Sequence, residues 1–386
     1  MAHAATLVRP SIFKDGMGPA SKRRPEPRGD RRVPEGTVVV SADNHWSIAD
    51  DIFYKKFPSH LKDAAPKLYR TKEGGYLFTI YGKPLLPDLQ ATIFSEMDNV
   101  AGSTRMDARM HDLDIEGIDK ELVFGNVVAA FYTYPDLEAR EWIYRIYNEY
   151  LAEMQALAPG RFYGVGLLNY WDMAKCRSAL EEIKSLGLKT FVIPQFPKGA
   201  NRETMNYCLD EMRPLWEAID EVGLPMCFHV GEQLQEGPGG CGVSMMLNFA
   251  PFRKSMAELI FGGMLDRHPS IQATFVEGDI NWIPGALQTA DMVYHAYAHE
   301  IQPKIEHPPR YYWENNLHAT FMSDRAGLRL IDEIGADRVM WSNDYPHQES
   351  VYGAGWTSIQ DVLDVVSDDD ARKILGGNAL ELFKLD

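Results

Sequence analysis

The residues best suited to chemistry in this chain are histidines and carboxylates at the ends of short apolar runs. The run TVVVSAD (37–43), for example, ends in an aspartate and is followed two residues later by a histidine. Imidazole and carboxylate groups together suit a divalent cation such as Zn²⁺ or Mn²⁺, and a single-ion site leaves positions for water or substrate. The candidate catalytic or metal-binding residues are Asp43, His45, His229, Glu277, Asp344 and His347.

Eight β-rich runs, separated by helical segments, must position these residues. Between the runs, apolar residues recur at three- and four-residue steps, which predicts amphipathic helices. Continuous apolar strands alternating with helices predict a (β/α)8 TIM barrel. The alternative is a doubly wound open sheet, which usually carries a glycine-rich phosphate loop that this sequence lacks. The predicted strands are 37–43, 120–126, 161–168, 189–194, 225–230, 271–277, 318–324 and 338–344. The predicted helices are 137–158, 173–187, 206–222, 252–266, 284–300, 325–335 and 357–382.

The candidate residues are predicted to converge because a barrel brings the carboxyl ends of its strands to one face. Asp43 and His45 are two residues apart on one strand, so their side chains point to the same side. His229 reaches that point from across the barrel, and Asp344 reaches it from the strand beside the first. Taken singly, His229 could be a hydrogen-bonded turn residue and Asp344 a helix cap. Ligand-type residues at several separate strand ends favour a metal site.

Five motifs carry a resemblance to a known family. They are SADNHW (41–46), RMHDLDIEGIDKELVF (109–124), FHVGE (228–232), VEGDINWIP (276–284) and WSNDYPH (341–347). With the order of strands, they make residues 37–386 similar to the metal-dependent amidohydrolase superfamily. The branch resembled is amidohydrolase 2, which holds the aminocarboxymuconate-semialdehyde and resorcylate-type decarboxylases.

The resemblance implies a ligand set for one divalent metal ion, Zn²⁺ with Mn²⁺ as the alternative. It also implies that His347 lies behind the ligands or faces the substrate. Two positions depart from the family pattern. The first strand carries Asp-x-His where other members have His-x-His or Glu-x-His, and the sixth ends in VEGD, where several decarboxylases place a histidine that Glu277 would replace. The implied ligands are Asp43, His45, His229 and Asp344.

Two enzyme chemistries fit such a site. In non-oxidative decarboxylation of an aromatic or unsaturated small carboxylic acid, a protonated Asp344 would deliver its proton to the substrate carbon. In hydrolysis of an amide, lactone or ring C–C bond, Asp344 would instead take a proton from metal-activated water. The resemblance favours the carboxy-lyase over the hydrolase. A metal-binding scaffold without catalysis is the third alternative.

Residues outside the strand-end set are weaker candidates. Arg325 could bind a substrate carboxylate through its planar guanidinium, or pair with Asp324 or Asp344. Asn126, at the end of the second strand, is a second candidate for substrate binding. His295 and His299 lie one helical turn apart but lack the HExxH order, so surface histidines are the preferred interpretation.

Composition and charge narrow the function classes. A formal charge of -16 argues against nucleic-acid binding, and no apolar run reaches the roughly 18 residues that cross a membrane. Four widely spaced cysteines without CxxC, and an N-terminus without signal-peptide features, predict a cytoplasmic protein. We expect a barrel over 37–386 with an inserted lid or subdomain at 46–117. Residues 1–36 carry eight Lys/Arg against four Asp/Glu and predict a flexible or surface-draped arm, or one that clasps a partner in a homodimer or homotetramer.

Overall fold

The structure is a computed structural model, and it describes residues 18–48, 51–70, 76–80, 83–84, 96–126, 128–235, 237–248, 250 and 252–386. Within these ranges no helix combines the length and the apolar character that crossing a membrane requires. Residues 1–17 of the predicted arm and parts of the predicted insertion lie outside the described residues.

Eight parallel strands form the barrel, so the predicted fold class is confirmed. Each barrel strand is hydrogen-bonded to the barrel strand that follows it in the chain. The barrel closes between its first and last strands, where Asp344 N donates to Asp43 O at 2.9 Å and His45 N donates to Tyr345 O at 2.7 Å. The barrel strands are β1 (Val40–Trp46), β5 (Lys120–Gly125), β6 (Phe162–Leu167), β7 (Thr190–Val192), β8 (Met226–His229), β9 (Ala273–Val276), β10 (Leu317–Phe321) and β11 (Val339–Trp341).

Three further strands, β2 (Lys67–Arg70), β3 (Tyr76–Ile80) and β4 (Lys83–Pro84), form a small antiparallel sheet. This sheet lies within the predicted insertion 46–117 and is separate from the barrel sheet. A role for this segment as a lid stays a prediction.

Helices cover the outside of the barrel, and their apolar faces pack on the strands. In chain order, the first α-helices are α1 (Ile52–Lys56), α2 (Met106–Glu116), α3 (Val128–Tyr132), α4 (Leu137–Leu157), α5 (Cys176–Ser185), α6 (Arg213–Val222), α7 (Gly240–Asn248), α8 (Phe252–Phe261), α9 (Met264–Arg267) and α10 (Ile283–Ala296). They continue with α11 (Pro309–Asn316), α12 (Arg325–Leu328), α13 (Ile331–Ile334), α14 (Gly355–Leu363), α15 (Asp368–Arg372), a π-helical turn (Lys373–Gly377) and α16 (Asn378–Phe383). Short 3-10 turns are Ala20–Lys22, Ser59–Ala64, Ala101–Ser103, Ala200–Arg202, Asp210–Met212 and Ala336–Arg338.

Several predicted boundaries are wrong. The predicted helix 206–222 begins at Arg213, and the predicted helices 252–266 and 325–335 are each broken in two. The first strand begins at Val40 rather than at residue 37, because Thr37 is held in a turn by the carbonyl of Pro34. The last predicted helix, 357–382, is broken, because the Ser367 side chain accepts the Asp370 N–H and starts a new helix there.

A buried ion pair and its hydrogen bonds hold β1 in place. Arg109 and Glu121, both fully buried, form a two-bond ion pair at 2.7 and 2.6 Å. Arg109 also donates to the carbonyl of His45 at 2.8 Å, and Asn44 Nδ2 donates to Glu121 at 2.6 Å. Because each buried charge is balanced by the other and by hydrogen bonds, the network fixes β1 against β5 and α2.

Replacing one partner of this pair should leave the other charge buried and uncompensated. We expect Glu121→Gln to lower the free energy of unfolding, measured in urea, by about 3–5 kcal/mol. Asp107→Asn is the matched control, because the Asp107–Arg105 pair is largely exposed at 72% and 64%. The control should leave the urea midpoint unchanged. Equal effects of the two substitutions would contradict the assignment of Glu121 as a structural countercharge.

The described part of the arm, residues 18–36, lies against the loops that follow β11. The Glu116 carboxylate links three segments, since it accepts hydrogen bonds from Glu26 N at 3.0 Å, Gly353 N at 2.8 Å and Asn343 Nδ2 at 2.5 Å. Burial raises the pKa of Glu116 from its ordinary 4.5 to about 7, and the nearby Glu26 carboxylate adds to the rise.

This raised pKa makes stability depend on pH. Between pH 4.5 and 7 the folded chain keeps a proton on Glu116 that the unfolded chain has lost, so the free energy of unfolding falls as pH rises through that window. Relative to Glu116→Gln, which does not titrate, the wild type should lose up to about 3 kcal/mol of stability across this window, measured by urea unfolding. The exposed Glu217→Gln should show no such difference from the wild type. A gap between wild type and Glu116→Gln that is independent of pH would refute the assignment.

Candidate metal centre

All six strand-end candidates come together at the carboxyl end of the barrel. Asp43 lies within β1 at the register shift between Ser41 and Asn44, His45 lies just past that shift, and His229 is the last residue of β8. Glu277 follows β9 directly, while Asp344 and His347 follow β11. Five of the six are buried, and the His347 side chain is only 12% exposed.

The side chains approach one another closely. His45 Nε2 lies 3.4 Å from Asp43 Oδ1 and 3.1 Å from Asp344 Oδ1. His229 Nε2 lies 3.4 Å from both Asp43 Oδ1 and Glu277 Oε2. The His347 ring stacks on the His45 ring with centroids 3.7 Å apart, and its Nδ1 is 3.1 Å from Asp344 Oδ1.

Two overlapping groups could each hold one metal ion, because the ligand atoms within each lie within 4.8 Å of one another. One group is Asp43, His45, His229 and Glu277, and the other is His45, Glu277, Asp344 and His347. The implied ligand set is divided between them, with Asp344 in the second group and His229 in the first. Glu277 and His45 belong to both, so Glu277 is as well placed for metal binding as the four implied ligands.

Hydrogen bonding shows that these residues fit a cation. Several buried ligand atoms have no hydrogen-bond partner within the described chain, because their close contacts miss hydrogen-bond geometry. Buried polar atoms are normally paired, so such a concentration at one point indicates groups that serve a ligand. These atoms are Asp43 Oδ2, both ring nitrogens of His45, Glu277 Oε2, both carboxylate oxygens of Asp344 and both ring nitrogens of His347.

The pKa shifts within the cluster also indicate a cation site. Burial raises the pKa of Glu277 well above its ordinary value, and the Asp344 and Asp43 carboxylates raise it further. Burial acts the same way on Asp43, but His229 and His45 outweigh it and hold the pKa of Asp43 below its usual range. Burial lowers the pKa of His347, yet the neighbouring Asp344 carboxylate raises it to about 9. The site therefore attracts positive charge, as a divalent cation would supply.

Local backbone geometry aims the ligands. Glu277 and Asp344 both adopt left-handed conformations, with φ of 66° and 60°, which turn their side chains at the strand ends. Glu277 N donates to Thr320 Oγ1 at 2.8 Å, which stabilises this turn. The Nδ1 of His229 is 3.0 Å from the carbonyl of Val230, so this nitrogen is assigned the proton and Nε2 is left as the ligand atom.

The weaker candidates lie in different surroundings. Asn126 is buried, and its Oδ1 accepts Ile48 N at 3.1 Å, so it holds the chain leaving β1. Arg325 pairs with Asp361 at 2.7 Å rather than with Asp324 or Asp344. Substrate binding by Asn126 and Arg325 stays a prediction. His295 and His299 are both exposed near the end of α10 and belong to neither metal-binding group.

Sequence reasoning assigned no role to several residues that support the site. Arg109 and Glu121 fix the backbone of His45, and Gln195 Nε2 donates to the carbonyl of His229 at 3.0 Å. The Phe124 ring packs beside the His229 ring, with their centroids 4.6 Å apart. The sequence did contain a signal for Glu121. It lies inside the apolar run KELVFG, and a glutamate buried in a strand needs a partner of opposite charge.

The barrel and the cluster define a metal-binding (β/α)8 enzyme, and comparison with known proteins gives its family. The chain belongs to the amidohydrolase family, whose model matches residues 107–385. The resemblance drawn from the motifs is therefore confirmed.

Curated relatives match most of the chain. It is 27% identical over 300 residues to gamma-resorcylate decarboxylase of Rhizobium sp. (strain MTP-10005), covering 72% of this chain and 87% of the relative. It is 23% identical over 291 residues to 2-amino-3-carboxymuconate-6-semialdehyde decarboxylase of Dictyostelium discoideum, covering 72% and 77%.

Solved structures share the fold across nearly the whole chain. An amidohydrolase from Mycobacterium avium subsp. paratuberculosis K-10 matches with a TM-score of 0.74 and 18% identity, over 90% of this chain and 99% of that one. The 5-carboxyvanillate decarboxylase of Sphingomonas paucimobilis matches at 0.68 and 19%, over 91% and 100%. A dihydroxybenzoic acid decarboxylase from Polaromonas sp. JS666, solved with bound manganese and an inhibitor, matches at 0.66 and 20%, over 90% and 97%.

The cluster predicts that the purified protein carries a stoichiometric divalent metal, measured by elemental analysis. Asp43→Asn removes a charged ligand and should weaken metal binding by at least about tenfold. His295→Asn is the matched control, since His295 is exposed and outside the cluster. Metal-free wild-type protein that fails to take up Zn²⁺ or Mn²⁺ would contradict the assignment.

Proposed function

We propose that this chain is a metal-dependent, non-oxidative decarboxylase of an aromatic or unsaturated small carboxylic acid. The observation that carries the proposal is Asp344, a buried carboxylate whose oxygens make no hydrogen bond within the described residues. Its Oδ1 lies 3.1 Å from a ring nitrogen of both His45 and His347. A proton held there can be delivered to a substrate carbon. The curated relatives are decarboxylases, which favours this chemistry over hydrolysis.

Asp43, His45, His229 and Asp344 are proposed to hold the metal ion, with Glu277 within reach of the same point. When bound, a divalent cation would attract the substrate carboxylate and polarise an adjacent oxygen. Zn²⁺ is proposed and Mn²⁺ is the alternative, which the manganese in the Polaromonas decarboxylase supports.

The protein side of the reaction is a proton transfer. Asp344 gives its proton to the carbon that carries the carboxylate, and the C–C bond then breaks. The bonding electron pair returns to the unsaturated system, and CO2 leaves. His347, 3.1 Å from Asp344 Oδ1, is placed to return a proton to the carboxylate for the next cycle.

Burial of the cluster favours this chemistry. Asp43, Glu277 and Asp344 bring three buried carboxylates close together, so a proton shared within the cluster is stabilised there. Phe124 places an apolar ring beside His229, with the ring centroids 4.6 Å apart.

We also propose a cytoplasmic homodimer or homotetramer whose partner is a small carboxylic acid rather than nucleic acid or a membrane. The formal charge of -16 argues against nucleic acid as a partner, and four unpaired cysteines suit the cytoplasm.

We expect a panel of hydroxybenzoates and unsaturated acids to include one from which the metal-loaded enzyme releases CO2. Asp344→Asn removes the proton donor and should slow that release by about 10²–10⁴-fold. The matched control is Asp332→Asn, a change at an exposed aspartate. Hydrolysis of amides or lactones without CO2 release from any acid would overturn the decarboxylase proposal, and undiminished activity of Asp344→Asn would overturn the role of Asp344.

A further inference from the structure

The loop after β11 carries both Asp344 and His347, but the barrel holds only its first part. Asn343 N donates to Ser41 Oγ, and Tyr345 N donates to Asn44 Oδ1, each at 2.8 Å. These bonds fix the loop to β1 up to Tyr345. Beyond that point, residues 348 and 350 contact the N-terminal arm, while Gly353 N donates to Glu116 of α2.

Arg23 makes the central contact between the arm and this loop. Its side chain is buried, although it belongs to a segment outside the barrel. The guanidinium donates to Gln348 O at 2.5 Å, Ser350 O at 3.1 Å and Ser350 Oγ at 3.3 Å. Ser350 Oγ in turn donates to His347 O at 2.7 Å, so one side chain separates Arg23 from the backbone of His347.

Neighbouring arm residues reinforce this contact. Gln348 accepts a hydrogen bond from Ala20 N and donates one to Gly18 O, each at 2.9 Å. Further along, Glu26 Oε2 accepts Trp356 N at 3.0 Å, and Glu26 N donates to Glu116. The arm therefore holds the loop on both sides of residues 350–353.

Burial of a guanidinium is costly unless its donors are satisfied and its charge is balanced. The donors of Arg23 meet carbonyl and hydroxyl oxygens, and the Glu349 and Asp344 carboxylates attract its charge. Several backbone carbonyls converging on one cation require a defined loop conformation. The Arg23 fork can thus select the conformation in which His347 stacks on His45.

We propose that Arg23 is a positioning residue for the reaction, which holds the loop 347–350 so that His347 stays against Asp344. This inference rests on the proposed function for its kinetic consequences. Three of the proposed ligands, Asp43, His45 and His229, lie on strands that Arg23 does not touch. The fourth, Asp344, is tied to β1 by the hydrogen bond from its N–H to the carbonyl of Asp43. Loss of Arg23 should therefore affect proton delivery far more than binding of the metal or substrate.

The test compares Arg23→Met with Arg24→Met, which makes the same charge change at the adjacent, exposed arginine. With an acid found in the screen, Arg23→Met should lower kcat by at least about tenfold with KM within about twofold, and Arg24→Met should change neither. Arg23→Lys, which keeps the charge without the fork, should restore part of kcat. Unchanged kcat, or a loss matched by loss of bound metal, would overturn the proposal.

A second measurement needs no substrate and so separates failure of this inference from failure of the proposed function. Hydrogen exchange in metal-loaded protein should show faster exchange for residues 347–353 in Arg23→Met than in Arg24→Met, with β1 and β8 unchanged. Equal protection in the two variants would refute the positioning role, whatever the protein catalyses. If Arg23→Met does not fold, Ser350→Ala removes the link to His347 O and should give the same pattern more weakly. Wild-type exchange and kcat in Ser350→Ala would then reject the proposal.

Discussion

The structure depends most on the placement of three buried carboxylates and three imidazoles at the mouth of one barrel. Separately, Asp43, Glu277 and Asp344 would each cost several kcal/mol to bury as an ion. Together they repel one another, and the imidazoles offset only part of that charge. A divalent cation would balance it and would satisfy the ligand atoms that have no hydrogen bond within the described part of the chain. The barrel is the scaffold that forces these groups together.

The carboxylates and imidazoles are brought together mainly at the seam of the barrel, where the first strand, β1, meets the last, β11. Four of the six residues come from the two sides of the seam, and its backbone hydrogen bonds run between Asp43 and Asp344 and between His45 and Tyr345. Asn44 crosses the seam, because its Oδ1 accepts Tyr345 N while its Nδ2 donates to Glu121. The metal-binding strand is thus fixed to the Arg109–Glu121 pair through the same residue that fixes the opposite loop.

The sequence predicts the barrel and its cluster of site residues, but not the contacts that position those residues. Periodicity located all eight barrel strands, and the barrel rule brought the six side chains to one face. The start of β1 was misplaced because TVVV favours a strand throughout, while a turn at Pro34 withdraws Thr37 from it. Arg109 and Arg23 could not be assigned a role, because their partners are distant along the chain and contact depends on tertiary packing. Local sequence patterns identify candidate ligands and catalytic residues, but they do not identify the distant residues whose contacts position them.

The two halves of the site are held by different means. Asp43, His45 and His229 sit within or at the end of barrel strands, so their positions follow from the sheet itself. His347 sits on a loop whose outer side is held by Arg23 from outside the barrel. Metal ligands must keep fixed distances, whereas a proton relay must also exchange protons with its surroundings. Under the proposed function, His347 is that relay; its position on a loop can meet the second demand, and Arg23 of the arm bonds to the loop at residues 348 and 350. The division follows from the chemistry, since a cation site and a proton-transfer site need different degrees of freedom.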